Sequence, residues 1–437
     1  MIDRLKSFFE QLSQAASWSD AERSCRADAM ARFESKGFPT TKDEAWRYTP
    51  LRKWVTKDYR LSLSTPAEIL EEDIKGLLVD DMLSYRLVFI NGALNVELSD
   101  ADIPGGVTVG CTSDLATYPK AWSEHLGTVI NSEDNSLADL NRALASGGLL
   151  LHVPKGVKLD RPIQILYLNT GDEAEMRFTR SLVILEQGAE ANLLERHHGM
   201  SGATTWSNSA EEAVIGDGAT LQWVKIQHDD ESSALTQHTS MKLGRDANAA
   251  VHTFSTSGKL IRNNLDFDLT APGAEAWMYG LTISDGKSLV DHHTRVDHSA
   301  AHCQSHQNYK GLYGDASQGV FNGKIMVHVD AQKTEAYQQS DSLLLTEKAQ
   351  VNAKPQLEIF ADDVKCSHGC TVGQLNEDAL FYLRARGIPE HQARAILMVG
   401  FAQEALGGLS NEHLKAKLND LIAEKLQVKG VEAIELG

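Results

Sequence analysis

Cysteine is scarce in this chain: five thiols (Cys25, Cys111, Cys303, Cys366 and Cys370) in 437 residues. An odd, sparse set excludes a disulfide framework and reads as free thiols in a reducing compartment. Long apolar runs are also missing. The longest, such as Ala395 to Phe401 with its internal Gly, fall far short of the ~20 residues that span a bilayer. Asp3, Arg4, Lys6 and Glu10 interrupt the N-terminus, so neither a signal nor a transit peptide is expected, and the expected location is cytoplasmic. Basic residues are in deficit, 42 Lys and Arg against 60 Asp and Glu. The net charge of −18 disfavours nucleic acid and anionic membranes as partners. No Walker-type phosphate loop, Gly-x-Ser-x-Gly elbow or His-Glu-x-x-His is present.

What the chain does have is enough apolar material, 42% of its residues, for a large core. Length implies two or three domains, or one repetitive one. Three regions emerge. The first, 1–148, is helical at its start: Leu5, Phe8, Phe9, Leu12 and Ala16 fall at helix spacing. A second helix opens at Ser19-Asp-Ala-Glu22 and stops at Gly37 and Pro39. Asp43-Glu-Ala-Trp-Arg-Tyr-Thr-Pro50 follows, read as aromatics docking the helices onto a core.

The second region, 149–375, is strand-rich, with runs such as Ser181–Leu185 and Val320–Val329. A turn ending in alanine recurs at Ala189, Ala219, Ala247, Ala274, Ala316 and Ala349, spaced 30, 28, 27, 42 and 33 residues apart. Such a period marks stacked repeats, and strand-rich units favour a parallel β-helix over a propeller, whose blades need ~40 residues. A β-sandwich with similar turns is the competing architecture. The 42-residue interval implies an insertion. The third region, 376–437, is helical again. Asn376 is a cap and Gly387 a stop; a helix opens at Pro389, and Ser410 caps an amphipathic helix carrying Leu414, Leu418, Leu421, Ile422 and Leu426.

Two clusters invite chemistry. His292, His293, His298, His302, Cys303 and His306 suit a transition metal. In a strand, however, His293, Arg295 and Asp297 share one face and His292 and His298 the other, so polar ladders on a solenoid are the better reading. The sharper constellation is Asp362-Asp-Val-Lys-Cys366-Ser-His368-Gly-Cys370. Alternation puts Cys366, His368 and Cys370 on one side, successive members ~6.6–7 Å apart. Two neighbours can share a metal, three only with a bend, which Gly369 makes cheap. Fewer than four ligands make an incomplete site, to be completed by a partner; buried thiols with a satisfied histidine are the equal alternative. A second functional class is a β-helix polysaccharide lyase or hydrolase using Asp266, Asp268, Asp291 or Asp297.

The run Pro355–Gly373, with Leu380-Phe-Tyr-Leu-Arg-Ala-Arg-Gly-Ile388, Val320-Phe-Asn-Gly-Lys-Ile325, Leu343-Leu-Leu345 and Glu44-Ala-Trp-Arg-Tyr-Thr49, resembles the SufB/SufD family. These are scaffold subunits of the SUF iron–sulfur cluster assembly machinery, and the resemblance spans nearly the whole chain. It implies a right-handed parallel β-helix core between N- and C-terminal helical regions and no turnover of its own. It further implies pairing with a SufB-like subunit across the β-helix ends and docking of a SufC-like ATPase on the C-terminal helices, for which Phe381, Tyr382, Arg384, Arg386 and Gly387 are candidates. ATP-driven closure of the ATPases then rearranges the interface where a transient cluster forms; alone, the chain is expected to hold no stable cofactor and to form a homodimer. His368 matches the family histidine proposed as a cluster ligand, with Cys366 beside it. Two departures stand out. Cys370 replaces the commoner alanine, and Ser340 stands where SufB has its sulfur-accepting cysteine. Serine cannot carry persulfide sulfur, so the chain fits the supporting, SufD-like role.

Overall fold

The computed structural model describes residues 1–426 apart from 17, 62–67, 80–81, 101, 132–134, 172, 201, 203 and 410. Within 149–375 the alternating pattern does form strands, and successive strands go to opposite sheets. One sheet has ten strands, from Ala93–Leu94 at one edge to Lys365–Gly373 at the other; the second has nine, from Thr108–Cys111 to Gln350–Ile359. Coils stack in parallel and in register, as in the column Asn264, His293, Asn322, Lys354. The result is a parallel β-solenoid of about eight turns with helices at both ends. Tyr85–Ile90 already lies in the ten-stranded sheet, parallel to Ile163–Asn169.

The alanine turns have a physical cause. Before each of six successive strands of the ten-stranded sheet, one small residue turns into the axis: Ala189, Ala219, Ala247, Ala274, Cys303 and Thr334, all fully buried. Each carbonyl accepts from the backbone N–H that opens the next coil's strand: Thr220 to Ala189 (2.8 Å), Gln304 to Ala274 (3.0 Å), Glu335 to Cys303 (3.1 Å). The expected insertion after Ala274 is therefore absent. Its successor is Cys303, whose thiol fills the alanine position, whereas Ala316 and Ala349 precede strands of the other sheet. The residue before each inward one adopts positive φ: Gly188 68°, Gly218 64°, Asp246 54°, Gly273 78°, His302 62° and Lys333 64°. A side chain there costs ~1–2 kcal/mol, partly offset by the ~0.5–1 kcal/mol entropy penalty of glycine. His302→Gly and Lys333→Gly should each stabilise the chain by ~0.5–1 kcal/mol, read as a higher denaturant midpoint with unchanged slope; a lower midpoint refutes this account of the turn.

The helical regions clad opposite flanks. Ser19 accepts from Glu22 N–H (3.2 Å) and opens Asp20–Lys36, which ends at Gly37 with φ 69°. Leu5, Phe8, Met30 and Phe33 pack with Trp46, Leu140 and Leu144 against Phe178, Trp206 and Leu260 of the nine-stranded sheet. Trp46 is the docking aromatic: the Arg262 guanidinium lies 4.2 Å from its ring and bonds Asp291 (2.5 Å), whose carboxylate also accepts from Thr49. On the other flank, Glu390–Gln403 and Glu412–Lys425 bury Ala402, Leu406, Leu414, Leu418 and Ile422 against Val224, Phe254, Leu281 and Leu312 of the ten-stranded sheet. Ser410 lies outside the described residues; Asn411 accepts from Leu414 N–H (3.0 Å) and caps the last helix. Among the described residues, no helix is long and apolar enough to cross a membrane.

The two ends of the solenoid differ. At the first, short antiparallel strands, Ala93–Leu94 and Thr108–Cys111, close both sheets. At the other, Gln350–Ile359 and Lys365–Gly373 have no strand beyond them among the described residues. Their side chains are largely uncovered, with Phe360 59% and Val372 45% exposed.

Candidate functional site

Lys365–Gly373 pairs in parallel with Glu335–Leu344, matching Ala336 to Cys366, Gln338 to His368 and Ser340 to Cys370. The first members of these pairs are buried in the solenoid. Cys366, His368 and Cys370 therefore emerge on the same inner face one coil further on, where no coil covers them: Cys366 is half-buried, His368 and Cys370 exposed. Gly369 does not bend the strand. The ladder runs through it unbroken, and a Cβ there would fall 2.2 Å from the Gln339 side-chain oxygen, so the glycine makes room for that amide. An unbent strand keeps the three side chains in a row rather than around one ion. Burial pushes the Cys366 thiol up, and burial together with Asp341 pushes up that of Cys370. Both thiols therefore favour the protonated form, which competes with metal for the sulfur.

The interior holds a charged group that the sequence pattern did not single out. Glu195, His197, Glu211 and Lys225 are all buried, and the ligand atoms of the first three lie within 4.8 Å of one another. A cation already sits there: the Lys225 ammonium contacts Glu211 and stands 3.7 Å from Glu195. Glu195 also accepts from Gln237 (2.9 Å) and Trp223 Nε1 (3.1 Å), and His197 Nε2 lies 2.8 Å from it. The group is thus a satisfied ion-pair network in the dry axis. Burial opposes ionisation of Glu195, but Lys225 and His197 hold its carboxyl well below the usual range. Burial and then the neighbouring Glu195 charge push Glu211 up to about 7. An acid raised on folding favours the native state while protonated, so the Glu211 contribution to stability should fall as pH rises from ~4.5 to ~7, against the rise contributed by His228, His252, His292 and His298, whose imidazoles burial pushes down to about 4. Glu211→Gln removes the falling contribution, so the chemical-denaturation midpoint should climb more steeply with pH across that interval than in the unsubstituted chain; an unchanged slope with pH refutes the assignment.

The histidine cluster divides as polar ladders do. His292 turns inward to Thr282 (3.0 Å), His298 inward to Ser305 (2.9 Å), and His306 stacks on Trp277 at 4.2 Å. The four aspartates are no acid–base pair either. Asp291 is engaged by Arg262, Asp266 by His238 (2.8 Å), and Asp297 by Arg295 (2.5 Å) and His328; Asp268 lies beside Asp297 in register. A cleft of about 900 Å³ opens on the outer face of the nine-stranded sheet, with its charges paired, as in Lys324–Glu358 (2.8 Å) and Lys354–Glu44.

The helix Glu377–Ala385 is anchored by buried Leu380 and capped by Asn376, which accepts from Ala379 N–H (3.0 Å). It presents Phe381 (73% exposed) and Tyr382 (56% exposed) outward. The Arg386 guanidinium lies 4.4 Å from the Tyr382 ring, Arg384 is 3.3 Å from Glu390, and Gly387 takes φ 87° to end the helix.

Residues 167–401 match the family model of the SUF system FeS cluster assembly SufBD core domain, and residues 4–165 that of the SufBD protein N-terminal region. The chain is similar to the iron–sulfur cluster assembly protein SufD of Escherichia coli, 30% identical over 89% of this chain and 90% of that one. It is also similar to a SufBD family iron–sulfur cluster assembly protein of Synechocystis, 28% identical over 91% and 90%, and to the chloroplastic protein ABCI7 of Arabidopsis thaliana, 29% identical over 95% and 88%.

Proposed function

Because the chain belongs to the SufBD family of iron–sulfur cluster assembly proteins, we propose that it is a non-catalytic scaffold subunit whose uncapped solenoid end completes a cluster-assembly site with a SufB-like partner. The observation that carries this reading is the pairing of free sheet edges with metal-ligating side chains at one end only. Long unpaired edges are a liability that folds ordinarily cover or shorten, and the opposite end of this solenoid finishes on antiparallel strands of only two and four residues. A partner whose own solenoid abuts Gln350–Ile359 and Lys365–Gly373 would satisfy those edges and add ligands to the row Cys366, His368, Cys370. The cluster is cargo here, held while the two halves meet. In the partner's absence a second copy of the chain can use the same edges, giving a homodimer.

A second surface supports an ATPase contact. Two large aromatics on a nine-residue helix, flanked by Arg384 and Arg386, form an aromatic and arginine anchor of the kind that dominates interface energies. We assign it to a SufC-like ATPase subunit. Serine at Ser340 leaves sulfur acceptance to the SufB-like partner.

Co-expression with SufB-like and SufC-like subunits tests the reading. A stable complex that accumulates iron and sulfide under anaerobic purification is expected. Failure to co-purify, or stoichiometric iron and sulfide in the chain alone, overturns it.

A further inference from the structure

The register that carries His368 to the open end places Gln338 directly behind it, on the neighbouring strand and the same inner face. Strands in a ladder are ~4.8 Å apart, so the two residues are adjacent in the ladder and their side chains lie within reach of each other. Gln338 is only 3% exposed, and its amide is tied to the neighbouring coil: Nε2 donates to Gln307 Oε1 (3.0 Å), which also accepts from Thr294 Oγ1 (2.6 Å), while Gln307 Nε2 has no hydrogen-bond partner. Gly323, on the facing sheet, makes this placement practicable. A Cβ on that residue would fall 2.1 Å from Gln338 Nε2 and 2.8 Å from its Cδ. The Oε1 atom, by contrast, is buried without a hydrogen-bond partner. An amide anchored at one end and left with an orphaned acceptor beside the rim histidine is arranged to receive a donor, and buried acceptors are ordinarily satisfied.

An imidazole that binds a metal through one nitrogen generally donates its other ring N–H to a carbonyl or carboxylate, which fixes the tautomer and aims the lone pair. We propose that Gln338 is the positioning residue for His368: its Oε1 accepts the imidazole N–H and so presents the other ring nitrogen's lone pair to iron at the open end. This rests on the reading of His368 as a cluster-assembly ligand. It assigns a role to the chain Thr294, Gln307, Gln338 and to the missing side chain of Gly323.

The test separates the two claims. In the full chain with ¹⁵N-labelled imidazoles, the His368 signals, identified by their loss in His368→Ala, should show the proton on one ring nitrogen only. Gln338→Leu and Gln338→Met should return His368 to the two-tautomer mixture of a free imidazole. Gly323→Ala should do the same with Gln338 still present, because the new Cβ displaces its amide. In the co-expressed complex these variants should keep subunit assembly while cluster yield falls about tenfold or more. A tautomer mixture at His368 in the unsubstituted chain overturns the proposal without recourse to any variant that fails to fold. So does a single tautomer that survives in a folded Gln338 variant. If His368→Ala itself matures clusters normally, the ligand role of His368 fails instead, whatever its tautomer.

Discussion

His368→Ala is expected to leave the complex assembled and to cut its cluster content about tenfold or more, since losing a ligand costs at least as much as losing the group that orients one. The imidazole is exposed at the end of the solenoid, with no coil beyond it, so its removal takes little packing away. Alanine offers no lone pair to iron. Cys366 differs, because its side chain also packs on the small cluster of Ile325, Val327 and Ala336, so Cys366→Ala should lose both a thiol and some local order. Cys370→Ala removes only an exposed side chain and should be tolerated. The comparison to make is iron and sulfide per complex in the three variants after anaerobic co-purification. Wild-type content in His368→Ala, or a defect confined to Cys370→Ala, would refute the assignment.

Deleting residues 376–437 should not yield a folded solenoid lacking only its ATPase contact. The last two helices cover Val224, Ile226, Phe254, Leu281, Ile283 and Leu312 on the outer face of the ten-stranded sheet. Uncovering six such side chains at ~1.5–3 kcal/mol each costs on the order of 10 kcal/mol, comparable to the whole stability of a typical domain. The truncated chain should aggregate or bind hydrophobic dyes, and a monodisperse, cooperatively melting product would contradict the packing described. The docking surface is better tested by Phe381→Ala with Tyr382→Ala. Both are exposed, so stability should change by no more than ~0.5 kcal/mol per site, while calorimetric binding of the ATPase subunit should be lost. Retained binding would move the contact elsewhere.

Much of this was readable from the chain because it depends on local rules. Alternation gave the strands and placed Cys366, His368 and Cys370 on one side; Ser19, Asn376 and Pro389 marked helix starts, and Gly37 and Gly387 marked stops. The repeat was visible through its small inward residue, but Cys303 and Thr334 meet the same steric demand without being alanine, so the count went astray after Ala274. Gly369 looked like a hinge because its real constraint, the Gln339 amide on the adjacent coil, lies 30 residues away in sequence. The interior group was hidden for the same reason: Glu195, Glu211 and Lys225 come from three different strands. A signal did exist, since Lys225 alternates in phase with Leu221 and Trp223 and so had to point into the core.

The asymmetry between the two solenoid ends also bears on the stoichiometry of the proposed assembly. A β-solenoid with both edges open could add copies head to tail without limit, the non-closing geometry that produces fibres. Here the antiparallel strands at the first end block that growth. On the proposed reading two such chains, or one and its paralogue, meet through the open ends, which carry the long edges Gln350–Ile359 and Lys365–Gly373, whereas the edge strands at the first end are only two and four residues long. The proposed assembly then ends at two scaffolds, with the short-stranded ends facing outward.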